Sequence, residues 1–354
     1  MIDRLAKFNE LVPSSLPFVE GRLEGHKERK NYTIIGRGVA EDTKQLIKIQ
    51  SLHGYNLGAV SAMPKNGSGL HSHTTAEVFV IYSGKWRFYW GADGKQETIL
   101  EAGDIISMPT NMFRAFENVG DKESLMFVVL GGDDPGIITW VPEILKKAKE
   151  TGMALLDDNS LIDLKKVEVP KGRKMIEPIT QDELERFDNY LPEELEKNIY
   201  RNKQNNISDE VNGIKLYQVL GNKFNKKTYE PSIKQDTGFN LTTLNSISGE
   251  IKGIECIKPT VLFAQEGNWK IVIGNSNIKL GKGDTFSVPL NSKIDISCNN
   301  SENSILNSPS MSPPMSRPMS PPMSRSMSPV TTFSKKKKPS EMSIPELSVC
   351  NAPS

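Results

Sequence analysis

The stretch Gly69-Leu-His71-Ser-His73-Thr-Thr-Ala-Glu77-Val-Phe-Val-Ile-Tyr-Ser-Gly84 holds two of the four histidines in a chain of 354 residues. On a β-strand, residues i and i+2 point to the same face. His71 and His73 can therefore aim two imidazoles at one point, and Glu77 can bring a carboxylate to it. Two imidazoles with one carboxylate form the facial triad of non-haem Fe(II) sites, and the same donor types suit Mn and Zn. The run Glu77-Val-Phe-Val-Ile-Tyr is rich in β-branched and aromatic residues, as is Trp86-Arg-Phe-Tyr-Trp90, so both read as strands. In the second, Trp86, Phe88 and Trp90 share a face expected to fill a core, with Arg87 on the other. Asp93-Gly94 signals a hairpin turn, and short strands continue to Leu125-Met-Phe-Val-Val-Leu130, a jelly-roll pattern.

The spacing His-x-His, three residues, Glu, six residues, Gly resembles the first motif of the cupin superfamily. A second motif follows as Gly103-Asp104-Ile-Ile-Ser-Met-Pro109-Thr-Asn111-Met-Phe-Arg114-Ala-Phe-Glu-Asn118. Gly103, Pro109 and Asn118 fit the family pattern. Arg114 stands where the family places its last metal-binding histidine, and Asn111 where it places a glycine. Lys65 stands where a glycine is expected six residues before His71, so Gly67 and Gly69 are expected to serve the turn. The resemblance implies a divalent metal, Fe or Mn first and Zn or Ni next, held by His71, His73 and Glu77.

Arg114 then decides what the site does. Two unit positive charges about 4 Å apart repel by roughly 4 kcal/mol at an effective dielectric near 20, and a divalent ion about doubles that. The side chain therefore cannot stand in for a ligand. Three readings are open: Arg114 turns to solvent; it grips the carboxylate or enolate of an anionic substrate with its planar fork; or it pairs with Glu77 in a metal-free site. Asn111 is either a neutral oxygen ligand or a turn residue. Of the other histidines, His53 is a candidate third imidazole, against the more ordinary reading of a surface or core residue; His26 lies outside the motif.

An internal repeat extends the pattern. Ser83-Gly84-Lys85-Trp86-Arg87-Phe88 returns as Glu266-Gly267-Asn268-Trp269-Lys270-Ile271, and the Gly103-to-Pro109 interval returns as Gly283 to Pro289. This reads as a second, degenerate barrel, so the chain resembles a bicupin. Carrying the site positions across puts Ile254, Cys256 and Thr260 opposite His71, His73 and Glu77, with Ile294 opposite Arg114. That set cannot hold a metal, and Cys256 reads as a buried free thiol.

The expected fold is all-β with a few helices: two tandem jelly-roll (cupin) barrels plus a disordered C-terminal tail. The divisions are an N-terminal arm (1–30), barrel 1 with the metal site (31–135), a helical linker (136–205), barrel 2 (206–300) and the tail (301–354). In the linker, Val141-Pro to Gly152 reads as one helix, and Thr180-Gln-Asp-Glu183 as a capping box. From about residue 306, Met311-Ser-Pro-Pro-Met-Ser-Arg317 and its copy at 319–325, followed by Lys335 to Lys338, cannot bury enough apolar surface to offset chain entropy. The tail is separable on this reading, and a tail partner is unidentified.

Composition narrows the function classes. A net charge of +1 gives no global steering toward nucleic acid or membrane. Three scattered cysteines make neither a zinc motif nor a disulfide framework. The N-terminus lacks a signal-peptide core and no run of about 20 apolar residues spans a bilayer, so a cytoplasmic protein is expected. Sequons such as Asn31-Tyr-Thr33 then carry no weight. Gly36-Arg-Gly38 lacks the rest of a dinucleotide fingerprint.

The resemblance implies an Fe- or Mn-dependent oxidoreductase of the bicupin, quercetin-dioxygenase-like type, acting on a small anionic or enolic substrate. Glu77 would be a ligand and a base, and Arg114 would orient the substrate. A non-catalytic small-molecule-binding or scaffold cupin is the alternative. Either could act as a homo-oligomer.

Overall fold

The computed structural model describes residues 1–203, 209–221 and 230–311. The Met-Ser-Pro repeats, apart from Met311 itself, the lysine run and Cys350 lie outside the described residues. The chain opens with the short strand β1 (Leu5–Ala6), then supplies β2 (Arg29–Ile35), β3 (Tyr55–Ala62), β4 (Gly67–Ser72), β5 (Glu77–Ile81) and β6 (Lys85–Trp90). Next come β7 (Gln96–Glu101), β8 (Ile105–Met108), β9 (Arg114–Asn118), β10 (Ser124–Gly131) and β11 (Thr139–Trp140). The connection carries helix α1 (Pro142–Glu150), hairpin β12 (Met153–Leu155) and β13 (Leu161–Asp163), one-turn helices α2 (Gln181–Leu184) and α3 (Pro192–Leu195), and β14 (Ile199–Tyr200). The rest is β15 (Asp209–Val211), β16 (Ile214–Leu220), β17 (Phe239–Cys256), β18 (Thr260–Glu266), β19 (Trp269–Ile273), β20 (Ser276–Leu280), β21 (Thr285–Val288) and β22 (Ser292–Met311).

Two antiparallel sheets form the first jelly roll, in the orders β14-β8-β5-β10-β3-β2 and β11-β4-β9-β6-β7. Their inner faces meet over Trp86, Phe88 and Trp90, each fully buried, which pack with Phe79 and Phe116. Strand alternation sends Glu77, Phe79 and Ile81 of β5 into this barrel and Val78 and Val80 out of it. The outward pair is not solvated. It joins Phe127 and Val129 of β10 and Val261 and Phe263 of β18 in one core between the barrels, with Phe127 and Phe263 stacked at 4.7 Å. Burial on both faces is why β5 is an unbroken apolar run after Glu77.

The second barrel is one connected sheet, β1-β21-β18-β22-β17-β16-β15 with β19 and β20 attached. Its long strands β17 and β22 are bent by bulges at Ser246/Ser248 and Ile251/Ile254. The bends let one half of β22 pair with β18 and the other with β19.

Three boundaries move from the sequence reading. Residues 301–311, assigned to the tail, are the second half of β22; Ile305, Leu306 and Asn307 are buried there, and Asn307 bonds Thr243 and Gln265. The arm 1–30 is not detached: β1 pairs with β21, and Lys7 bonds Asp284 at 2.6 Å. Among its described residues the 136–205 connection is helical only in α1, the single turns α2 and α3 and a 3-10 turn at Glu196–Asn198, and its β14 joins the first barrel through β8. The Thr180 capping box does form.

The turn expectation also needs correction. Lys65 itself takes the left-handed conformation, φ 61°, in place of the expected glycine. Gly67 and Gly69 answer a different demand: a Cβ on Gly67 would lie 1.8 Å from the Phe116 carbonyl oxygen, and one on Gly69 2.6 Å from the Glu20 carboxylate. Asn111 and its repeat counterpart Asn291 are both left-handed, φ 57° and 58°, a conformation Asn tolerates better than most residues.

Candidate metal centre

His71 lies on β4, His73 one residue beyond that strand, and Glu77 opens β5; the turn between β4 and β5 returns the carboxylate toward the imidazoles. All three residues are buried, and one donor atom from each lies within 4.8 Å of the others. Among the described residues they are the only such group of three. The β4–β9 register sets Arg114 beside His71, as the motif expects, and Trp140 of β11 flanks His71 with ring centroids 5.3 Å apart. Trp140 is itself held by its indole N–H donating to Glu41 at 2.6 Å. Burial pushes the Glu41 carboxyl up to about 8, against hydrogen bonds from Trp140 and the Val19 amide.

The ring nitrogens have defined partners. His71 Nδ1 is 2.8 Å from the Gly69 carbonyl, so Nδ1–H donates and Nε2 keeps its lone pair. For His73, the Thr75 carbonyl lies 2.9 Å from Nδ1 and Arg114 Nη2 lies 3.3 Å from the same atom. A carbonyl only accepts and a guanidinium only donates, so both cannot bond it. The shorter contact assigns the proton to Nδ1. Nε2 then turns a lone pair to Glu77 Oε2 at 3.1 Å. In that tautomer two lone pairs face each other, an arrangement that a cation between them satisfies. The spacing is close to the roughly 3.0 Å between adjacent ligands at right angles on a metal with bonds near 2.1 Å. The donor set therefore fits a divalent ion.

Electrostatics keep the donors in metal-binding form. Burial, then Arg114, lowers His71 to about 4, and the same causes lower His73, so both rings are neutral at pH 7. Burial opposes ionisation of Glu77, but His73, once protonated at acid pH, and Arg114 overcome it and bring the carboxyl down to about 2.

The contacts of Arg114 are those of the ion-pair reading. It is fully buried, its Nε sits 3.3 Å from Glu77 Oε2, and its Nη1 donates to the Met112 carbonyl at 3.0 Å. Burial pulls its pKa down while Glu77 holds it up. A cavity of about 70 Å³ opens beside the site, lined by His71, Glu77, Phe79, Val128, Leu130 and Trp140 among others, and Arg114 is not part of its wall. From β9 the guanidinium lies against the Glu77 carboxylate and opposes its charge.

The remaining sequence candidates lie elsewhere. His53 is no third imidazole: its Nε2 meets Ser287 Oγ at 2.8 Å in the second barrel and its Nδ1 meets the Ser51 carbonyl. His26 contacts the Gly67 carbonyl and Glu20. Asn111 is exposed and serves the turn, with Nδ2 donating to Asp188. In the second barrel, Cys256 and Ile294 are packed into an apolar cluster and Cys256 is a free thiol. The sequence reading missed Arg29, which lines the cavity from β2 paired with Glu20; the alternation Arg29-Lys-Asn31-Tyr-Thr33 was the available signal.

Residues 59–131 match the cupin domain family. Curated proteins give no match to the sequence. Among solved structures the chain is similar to a Lactobacillus farciminis oxalate decarboxylase in complex with formate, at 13% identity over 87% of this chain and 86% of that one, TM-score 0.54. It is also similar to the Momordica charantia 7S globulin, 11% identical over 87% and 84%, TM-score 0.53. The hazelnut (Corylus avellana) vicilin is 12% identical over 87% and 85%, TM-score 0.51. At these identities the likeness concerns the fold. No described helix is long and apolar enough to cross a membrane.

Proposed function

We propose that the first barrel of this two-barrel chain, whose residues 59–131 match the cupin domain family, is the site of a divalent-metal-dependent oxidoreductase acting on a small anionic substrate. Fe or Mn is the expected ion, with dioxygenase-type chemistry. The observation that carries this reading is the convergence of two neutral imidazoles and Glu77, with His73 Nε2 facing Glu77 Oε2 at 3.1 Å. His71, His73 and Glu77 would hold the ion, which when bound supplies Lewis acidity to substrate oxygens and, if Fe or Mn, a redox couple.

The chain's own residues do the rest. The carbonyls of Gly69 and Thr75 fix both rings in the tautomer that leaves Nε2 free. Glu77 stays ionised, as a metal ligand must, and borders the cavity where a substrate would sit. Phe79, Val128, Leu130 and Trp140 give that cavity apolar walls that limit water. A volume of about 70 Å³ takes on the order of five water-sized groups, which favours a small oxo- or hydroxy-acid over a polycyclic flavonol.

The test is metal content together with turnover. Protein prepared without added metal or a tag should carry a divalent ion and should consume a small oxo- or hydroxy-acid in the presence of oxygen. His71→Ala should lose both properties. Metal-independent turnover, or no turnover by metal-loaded protein across such acids, would overturn the proposal. A second reading is favoured by the Arg114–Glu77 pair: with Glu77 already neutralised, the barrel is a metal-free, non-catalytic binder of small molecules. A protein that binds small acids yet takes up no Fe or Mn would select it.

A further inference from the structure

Arg29 is 2% exposed and lines the same cavity as His71 and Glu77. Its Nη1 donates to Glu20 Oε1 at 2.7 Å and to the Gly67 carbonyl at 3.0 Å, and Phe18 covers one face of the guanidinium at 4.8 Å. Its Nε and Nη2 are buried and have no hydrogen-bond partner. The second Glu20 oxygen accepts from the Gly69 amide at 2.6 Å and bonds neither of these two atoms. Unbonded guanidinium N–H groups in a protein interior are costly, and a planar donor pair of this kind matches a carboxylate.

Arg29 does not stand alone. Residues i, i+2 and i+4 of β2 share a face, which places Asn31 and Thr33 beside it along the cavity wall. Asn31 Oδ1 and Gln45 Nε2 also line the cavity, buried and unbonded, and Gln45 is fixed through its other amide atom by the Thr33 hydroxyl. The cavity thus has an unsatisfied polar ledge in addition to the His71–Glu77 pole. Charge points the same way. The buried ions Arg29, Arg114, Glu20 and Glu77 cancel, so a divalent metal at the candidate centre leaves a net positive interior.

We infer that Arg29, with the Gln45 amide N–H beside it, is the anion-binding and specificity-determining group of this cavity, holding the carboxylate of a small oxo- or hydroxy-acid, while Asn31 Oδ1, an acceptor, suits a hydroxyl of that acid. The inference rests on the metal-site reading only for the other end of that molecule.

Calorimetric titration of the full chain with pyruvate, malonate and acetate, and with glycerol as a neutral probe of similar size, tests it. Titrations are made with Mn-loaded protein and again after chelation. Wild type should bind at least one carboxylate at least about tenfold more tightly than glycerol, in both metal states. Arg29→Lys keeps the charge opposite Glu20 but loses the fork. Asn31→Asp keeps the Arg29–Glu20 pair but puts a fixed negative charge on the ledge. Each should raise the carboxylate Kd at least about tenfold with the thermal midpoint still showing a folded protein. Cys256→Ala, in the apolar core of the second barrel, should leave carboxylate binding within a few-fold of wild type.

The inference is overturned if no carboxylate outcompetes glycerol in wild type, or if both variants bind like wild type. Binding that vanishes on chelation and ignores Arg29 also overturns it, while leaving the metal-site proposal standing. Carboxylate binding that depends on Arg29 in a protein that takes up no metal supports it and sinks only the oxidoreductase reading.

Discussion

Replacing Arg114 by Met should weaken the metal-free protein and tighten its grip on metal. The guanidinium is fully buried, with Nε 3.3 Å from Glu77 Oε2 and Nη1 on the Met112 carbonyl. Removing it leaves the Glu77 carboxylate buried without its cation, a loss worth about 3–5 kcal/mol. For a protein of this size that lowers the thermal midpoint by roughly 4–8 °C. The same change removes a positive charge from beside the candidate ion. Repulsion between a unit and a double charge some 4–6 Å apart at an effective dielectric near 20 is on the order of several kcal/mol. Mn²⁺ affinity should therefore rise at least about a hundredfold, and saturating Mn²⁺ should restore the lost midpoint by mass action. Calorimetric Mn²⁺ titration and thermal melts with and without the ion measure both arms. An unchanged or weaker Mn²⁺ affinity in Arg114→Met would refute the view that Arg114 and the metal compete for Glu77.

Three further outcomes are expected. Because burial holds His71 near 4 while an unfolded imidazole titrates near 6.5, the unfolded chain takes up a proton across that window that the folded chain refuses. Metal-free protein should thus lose about 3 kcal/mol as pH falls from 6.5 to 4; His71→Asn should flatten this slope in urea unfolding, and an identical slope in the variant would contradict the assignment. Lys65→Gly should stabilise the protein by about 0.5–1 kcal/mol by relieving the left-handed backbone at φ 61°, and a lower midpoint in the variant would contradict the strain argument. A chain ending at Leu306 should melt well below one ending at Met311, because the shorter one loses Asn307 and the pairing of residues 307–311 with β17; equal midpoints would show that this half of β22 is dispensable.

The first barrel was legible because its signals are local. His71 and His73 stand at strand spacing, Glu77 follows after a short turn, and the aromatic alternation at Trp86 to Trp90 declares a buried face. The destination of Arg114 was open in sequence because two partners of opposite consequence, a substrate and Glu77, suit a guanidinium equally well. Only the β4–β9 register placed it behind the carboxylate. Arg29 was hidden for a related reason: an arginine at a strand start usually faces water, and its burial depends on Glu20 and Phe18 folding over it. The end of the second barrel misled because Ser301 to Met311 is rich in Ser and Asn. That stretch forms strand through pairing with β17 and β18 and through buried side-chain bonds such as Asn307 with Thr243, none of which leaves an apolar alternation.

The most direct test is elemental analysis of the untagged protein, prepared without added metal, alongside His71→Ala, His73→Ala and Cys256→Ala. The account predicts about one divalent ion per chain in wild type, retained in Cys256→Ala because the second barrel packs Cys256 in an apolar core, and lost in both histidine variants. Undiminished metal in both histidine variants, or a wild type that remains metal-free even after incubation with Mn²⁺ or Fe²⁺, would contradict the assignment of His71, His73 and Glu77 as a metal centre.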